Sequence, residues 1–201
     1  TVDTYSPTQS LNNFWYDENR TKVAKTRRTS LVVDPPDGRI PPLTPEARAR
    51  LASPRTPGGR VDGPEDRGLS ERCIIGFNSG PPMTPSYYNN NVQIVQAAGY
   101  VAFLNEMIHA VRVVPTDGRP HAKIRMWAGD SRGRWDGDTL VVETTNFRED
   151  SGFRFPVDTR TLRIVERFRR TAADAIDYQF TVENPSMYSR PWTATLPMRP
   201  T

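Results

Sequence analysis

The chain has 201 residues, of which 36% are hydrophobic, 25% are charged and 19 are proline, so it holds one modest core, or one core with an extended arm. Its formal charge is +4, and no block among its 27 Lys and Arg marks a nucleic-acid face. The single cysteine, Cys73, excludes an internal disulfide and a thiolate metal cluster, and no apolar run approaches the roughly 18 residues of a spanning helix.

Of the 19 prolines, 12 fall within residues 1–90, which predicts an extended, Pro/Gly-rich, mostly irregular arm over 1–90 and an antiparallel β-domain over 91–201. In the arm, Phe14, Trp15 and Tyr16 form an aromatic cluster among Asn, Thr and Arg, a candidate anchor on a partner surface. Leu31, Val32 and Val33 read as a strand that runs into the turn Asp34-Pro35-Pro36-Asp37-Gly38. Thr44 can cap a helix and Pro45 suits its first turn, so the spacing predicts one short helix near 44–52. Pro54, Pro57, Gly58, Gly59 and Gly63 then make a loop. Tyr87 and Tyr88, beside Asn89 to Asn91, add stacking faces and amide groups and are further candidate partner-binding residues.

Beyond Asn91, β-branched and aromatic runs alternate with turn dipeptides. They predict strands at 92–96, 100–107, 110–114, 134–135, 139–145, 162–169, 175–183 and 192–196. Asp136-Gly137 predicts a hairpin with a type I′ turn and positive φ at Gly137. Alternation puts Leu162, Ile164, Glu166 and Phe168 on one face, and Ile176, Tyr178, Phe180 and Val182 on one face of the next strand. Trp192 is expected inside the domain. The fold class is mainly β. Closure removes exposed edges most economically, which favours a small antiparallel lipocalin-like barrel, with a β-sandwich as the alternative.

Three stretches, Arg27 to Thr44 with its Val33-Asp34-Pro35-Pro36-Asp37-Gly38-Arg39 core, Asp130 to Val142, and Tyr188 to Thr193, are similar to a large family of exported bacterial proteins of uncharacterised function. The resemblance runs over nearly the whole chain. It implies a periplasmic or otherwise exported location and a β-rich body, and it carries over no catalytic residue. Family members carry an upstream Asp-Leu-x-Gly-Val-Trp motif, so Thr1 is expected to be an internal start.

Chemical motifs are sparse. Gly129-Asp130-Ser131-Arg132-Gly133 fits the Gly-x-Ser-x-Gly pattern, but turn and strand residues follow it where a nucleophile elbow needs a helix. Glu106 and His109 have Glu-x-x-His spacing on a segment that reads as strand; two histidines in the chain exclude a histidine-rich metal centre, a site with Asp130 or Glu106 as further ligands stays open, and no metal is expected. His109 is expected to be hydrogen-bonded beside the domain wall and His121 exposed in a turn, while Cys73 before Ile74 and Ile75 reads as a small buried hydrophobe. No cofactor is expected. The sequence therefore favours a noncatalytic exported binding module or accessory subunit on a larger envelope complex, such as a respiratory or photosynthetic membrane assembly. It would meet a protein partner or a membrane-complex surface and no nucleic acid. The alternative is a small-molecule hydrolase or lyase at the barrel mouth, with Glu106, His109 and Asp130 as its acid-base group.

Overall fold

The structure is a computed structural model that describes residues 29–52, 62–86, 88–149 and 151–200. Strands β5 (Asp130–Asp136), β6 (Thr139–Thr145), β7 (Arg163–Ala172), β8 (Ala175–Glu183) and β9 (Trp192–Met198) run as an antiparallel meander, and the short β1 (Val32–Asp34) pairs with β9. Together they form a six-stranded sheet in the order β1-β9-β8-β7-β6-β5. A second, three-stranded sheet has the order β2-β3-β4, from Val92–Ala97, Tyr100–Asn105 and Val111–Pro115. One helix, α1 (Pro45–Ala52), precedes them; the Thr44 hydroxyl accepts from the Ala47 N–H at 3.1 Å, and Ala47 is buried.

The predicted strands match these bounds to within a few residues, with β5 the main extension. Alternation also holds. Leu162, Ile164, Glu166 and Phe168 are all buried, as are Tyr178, Phe180 and Val182 on the neighbouring strand. They meet Val101, Phe103 and Val114 of the small sheet in one apolar core. Aromatic rings run through it from Phe103 against Phe168 (4.8 Å between centroids) to Tyr178 (4.8 Å), Phe180 (5.9 Å) and Trp192 (5.8 Å). Trp192 is 3% exposed, as expected.

The lipocalin-like barrel does not form. The fold is mainly β, with two antiparallel sheets sharing their inner faces in a β-sandwich-like arrangement, and the ladder is broken between β4 and β5. Part of the reason lies in residues 116–129, which join β4 to β5 and place their hydrogen bonds elsewhere. Arg132 on β5 donates to the Pro120 carbonyl at 2.9 Å, and Asp130 accepts the Ala122 N–H at 2.8 Å. Met126 bonds the backbone of Asn146 and Arg148, each at 3.0 Å. The connection thus spends its polar groups on β5 and on the segment after β6, and a cylinder, which would need β4 to pair with β5 and β1 with β2, has neither pairing among the described residues.

A buried polar network joins the sheets. Glu166 on β7 is 0% exposed and sits among the apolar side chains of its face. Arg112 on β4, 7% exposed, meets it with both terminal nitrogens. The Tyr178 hydroxyl donates to Glu166 at 2.8 Å and accepts the Met83 N–H at 2.9 Å, which ties residues 81–83 to the core. Burial opposes the Arg112 charge, and the Glu166 carboxylate more than offsets it, so the guanidinium is held above its ordinary value. Burial, reinforced by Glu166, likewise pushes the Tyr178 phenol well up.

Arg112→Met strands a carboxylate in a dry core and should cost about 3–5 kcal/mol in urea unfolding. Adding Glu166→Leu should recover most of that loss, because replacing both charges with apolar groups is nearly neutral. A double variant as unstable as the single one would contradict this.

The β5–β6 hairpin tests the turn chemistry. Asp136 pairs with Thr139, and positive φ is confined to Gly137 (59°) in the two-residue loop. That is the pattern of a type II′ turn, not the expected type I′, which also needs positive φ at Asp138. An added Cβ at Gly137 meets nothing within 4 Å, so Gly137→Val should destabilise through backbone strain alone, by about 1–2 kcal/mol in thermal or urea melts.

Candidate functional site

The candidate acid-base residues fall into two groups. Glu106 and His109 lie in the tight turn between β3 and β4, both exposed, and the Glu106 carboxylate accepts the Asn91 N–H at 3.2 Å. Asp130 is buried at the start of β5, where it accepts from His121 Nδ1 (2.9 Å), the Ala122 N–H (2.8 Å) and Arg132 (2.6 Å). The hydrogen-bonded histidine is therefore His121 and the exposed one is His109, the reverse of the expectation. Spacing along the chain could not reveal this, because Asp130 faces whatever residues 116–129 fold back onto it.

His121 Nε2 lies 3.6 Å from Glu143, which pairs with Arg163, which in turn bonds Glu183 at 2.7 Å. This is a cross-strand charge ladder over the outer face of β6, β7 and β8. The Arg163 guanidinium, and less so His121, hold the Glu143 carboxyl below its usual range. Ser131 points to the other face of β5, buried, with its hydroxyl 2.8 Å from that of Thr144. The Gly-x-Ser-x-Gly stretch is thus strand rather than elbow. Gly129 (φ +69°) is needed there because a Cβ would lie 2.6 Å from Thr144 Cγ2. Cys73 is exposed, not the buried hydrophobe expected. Among the described residues, no three His, Cys, Asp or Glu side chains come together as metal ligands.

Of the candidate anchors, Phe14, Trp15, Tyr16 and Tyr87 lie outside the described residues. Tyr88 is partly buried and stands edge-on to Phe77, with 6.0 Å between centroids.

The small sheet carries a feature that the sequence reading missed. Its inner face holds Ile94, Val101, Phe103, Arg112 and Val114, so pairing of Val95 with Ala102 and of Ala102 with Val113 turns those three outward. Leu104 and Val111 form the next outward pair, and Tyr100 ends the face. Val95, Val111 and Val113 are 48%, 61% and 55% exposed. Three strands at about 4.8 Å spacing and about 3.3 Å per residue give this apolar face roughly 300 Å². The signal available was the Val-Arg-Val-Val run at 111–114, in which burying either alternate set exposes the other.

The sheet edges differ in kind. β1 is three residues long and runs into Pro35 and Pro36, and β5 carries Asp130, Arg132, Arg134 and Asp136, both of which blunt further pairing. β2 reads Val-Gln-Ile-Val-Gln-Ala, with no charge and no proline, and one of its sides has no strand partner among the described residues.

Comparison with protein-family models, curated proteins and solved structures gives no match. Among the described residues, no helix is long and apolar enough to cross a membrane.

A second polar centre binds α1 to the β-domain. Asp158, nearly buried, accepts from Arg160 (2.7 Å), Arg50 of α1 (2.9 Å) and Ser186 (3.1 Å). The Arg160 hydrogen bond, joined by that of Arg50, outweighs burial and holds the Asp158 carboxyl well below its usual value. A depressed carboxyl contributes stability that is present above its unfolded pKa of about 3.9 and is lost as pH falls toward the folded value. Asp158→Asn should therefore lower the melting temperature at neutral pH and make it fall less steeply below about pH 4. Parallel melting curves for the two proteins through that range would refute the assignment.

Proposed function

We propose that the chain is a noncatalytic interaction module, an accessory subunit that accepts an extended apolar strand from another polypeptide. The observation that carries this reading is the uncharged β2 edge, unpaired among the described residues, beside the exposed Val95, Val111 and Val113 face. Strand addition supplies main-chain hydrogen bonds at such an edge, and alternate side chains read the flanking face. A second copy serves less well. Twofold pairing through β2 would leave both faces open, and face-to-face packing would bury only the roughly 300 Å² patch on each copy, against about 800 Å² per partner in a stable interface. A partner that adds a strand and continues over the face covers both features.

The resemblance to exported bacterial proteins supports a periplasmic or otherwise exported setting, on an envelope complex. The hydrolase or lyase reading gains less from the geometry, since Asp130 is engaged by His121, Ala122 and Arg132, while Glu106 bonds Asn91.

A photo-crosslinking residue at Val113, in the source cells, should give an adduct with one other polypeptide, and the same residue at the exposed Arg169 of β7 should not. Val95→Lys should cut the Val113 adduct by about tenfold, equivalent to about 1.4 kcal/mol, without shifting the melting temperature. Adducts only to a second copy or to residues 1–28 of the same chain, or no adduct, would overturn the reading.

A further inference from the structure

Beside the turn that joins β3 to β4 lies an open cavity of about 370 Å³, and its walls are largely distinct from the docking face. Ile74, Ile75 and Ser79 form one side, and residues 125–128 form another. The buried Arg112 and the exposed Arg148 also line it. Val111 is the one residue shared with the outer sheet face; Val95 and Val113 take no part.

The lining combines two kinds of chemistry. It is mainly apolar and includes Ile74, Ile75, Met126 and Trp127. Its charged groups are three guanidiniums, Arg112, Arg125 and Arg148, and among the described residues no carboxylate lines the cavity. Glu166, on the core side, takes both terminal nitrogens of Arg112, which leaves the Arg112 Nε–H buried with no acceptor among the described residues. A buried donor without an acceptor costs about 1–3 kcal/mol, a cost that an incoming acceptor would relieve. Arg125 uses Nη1 on the Phe147 carbonyl at 3.2 Å, a neutral acceptor. Arg148 lies over the Trp127 ring, 4.9 Å from its centroid, which holds a cation and an apolar plane together in the same wall.

The geometry points to a binding site for a small amphipathic anion, with a flat apolar body against Trp127 and Ile75 and a carboxylate or phosphate head group toward Arg112 and Arg125. Apolar walls with a few convergent polar groups are the ordinary make-up of small-molecule sites, and this volume is at the lower end of their range. Arginine is suited to the head group because its planar fork matches carboxylate and phosphate oxygens. The site is independent of the strand-docking reading, and either can fail alone.

Isothermal titration of the full chain tests it with probes that separate head group from body: 2-naphthoate, 2-naphthyl phosphate, uncharged 2-naphthol and inorganic phosphate. One or both naphthyl anions should bind with 1:1 stoichiometry, at least about tenfold tighter than either 2-naphthol or inorganic phosphate. The tighter of the two names the head group. Arg125→Gln, shown by its melting curve to be folded, should weaken the anion about tenfold and leave 2-naphthol unchanged. Trp127→Ala should weaken both. The site is refuted by equal affinity for 2-naphthol and the anions, by inorganic phosphate binding as well as the naphthyl compounds, by unaltered binding in Arg125→Gln, or by no heat of binding up to about 1 mM of any probe.

Discussion

A carboxylate on the apolar face of a strand has to meet a cation, because a charge left alone in a dry core costs far more than the few kcal/mol by which a domain is stable. Glu166 stands on that face, between Ile164 and Phe168, and Arg112 answers it from the other sheet. The pairing fixes which way β4 faces. Side chains alternate along a strand, so turning Arg112 inward with Val114 turns Val111 and Val113 out to water. The open apolar face is thus the outer side of the ion pair that links the two sheets, and one residue of slip in β4 would bury the valines and expel the arginine.

The same pair shapes the cavity. Arg112 lines the cavity and reaches both Glu166 oxygens through its terminal nitrogens, while Tyr178, on the same Oε1 that Arg112 Nη2 meets, holds Met83 and so the segment that leads back to Gly80 and Ser79. A core carboxylate therefore organises a register, an exposed face and part of a concave wall through side chains from three separate regions of the chain.

Much of the fold was legible because it is local. The Leu162 to Phe168 and Ile176 to Val182 alternations are written in consecutive residues, and Asp136-Gly137 marks its own hairpin. What was not legible depends on distant partners. Barrel closure turned on whether β4 would pair with β5 and β1 with β2, and the histidine beside Asp130 on how residues 116–129 fold back. Glu166 reads in sequence as an interruption in the arginine run from Arg163 to Arg170; only its pairing with Arg112, 54 positions away, gives it a role. The candidate site was hidden for the same reason, since Val111 and Val113 look like core residues until the arginine between them is assigned to the inside.

The tether at residues 120–129 has a consequence for how such a protein can diversify. This segment meets β5 and residues 146–148 through side chains and scattered backbone bonds, with His121 on Asp130 as a pin, and it belongs to no sheet ladder. It also supplies one wall of the cavity. Substitutions or length changes between the pin and Gly129 would redraw that wall without disturbing either sheet's register or the ion pair between them. The scaffold thus separates a part that must stay constant for folding from a part that is free to acquire new chemical tastes, as immunoglobulin-type sandwiches do with the loops at their ends.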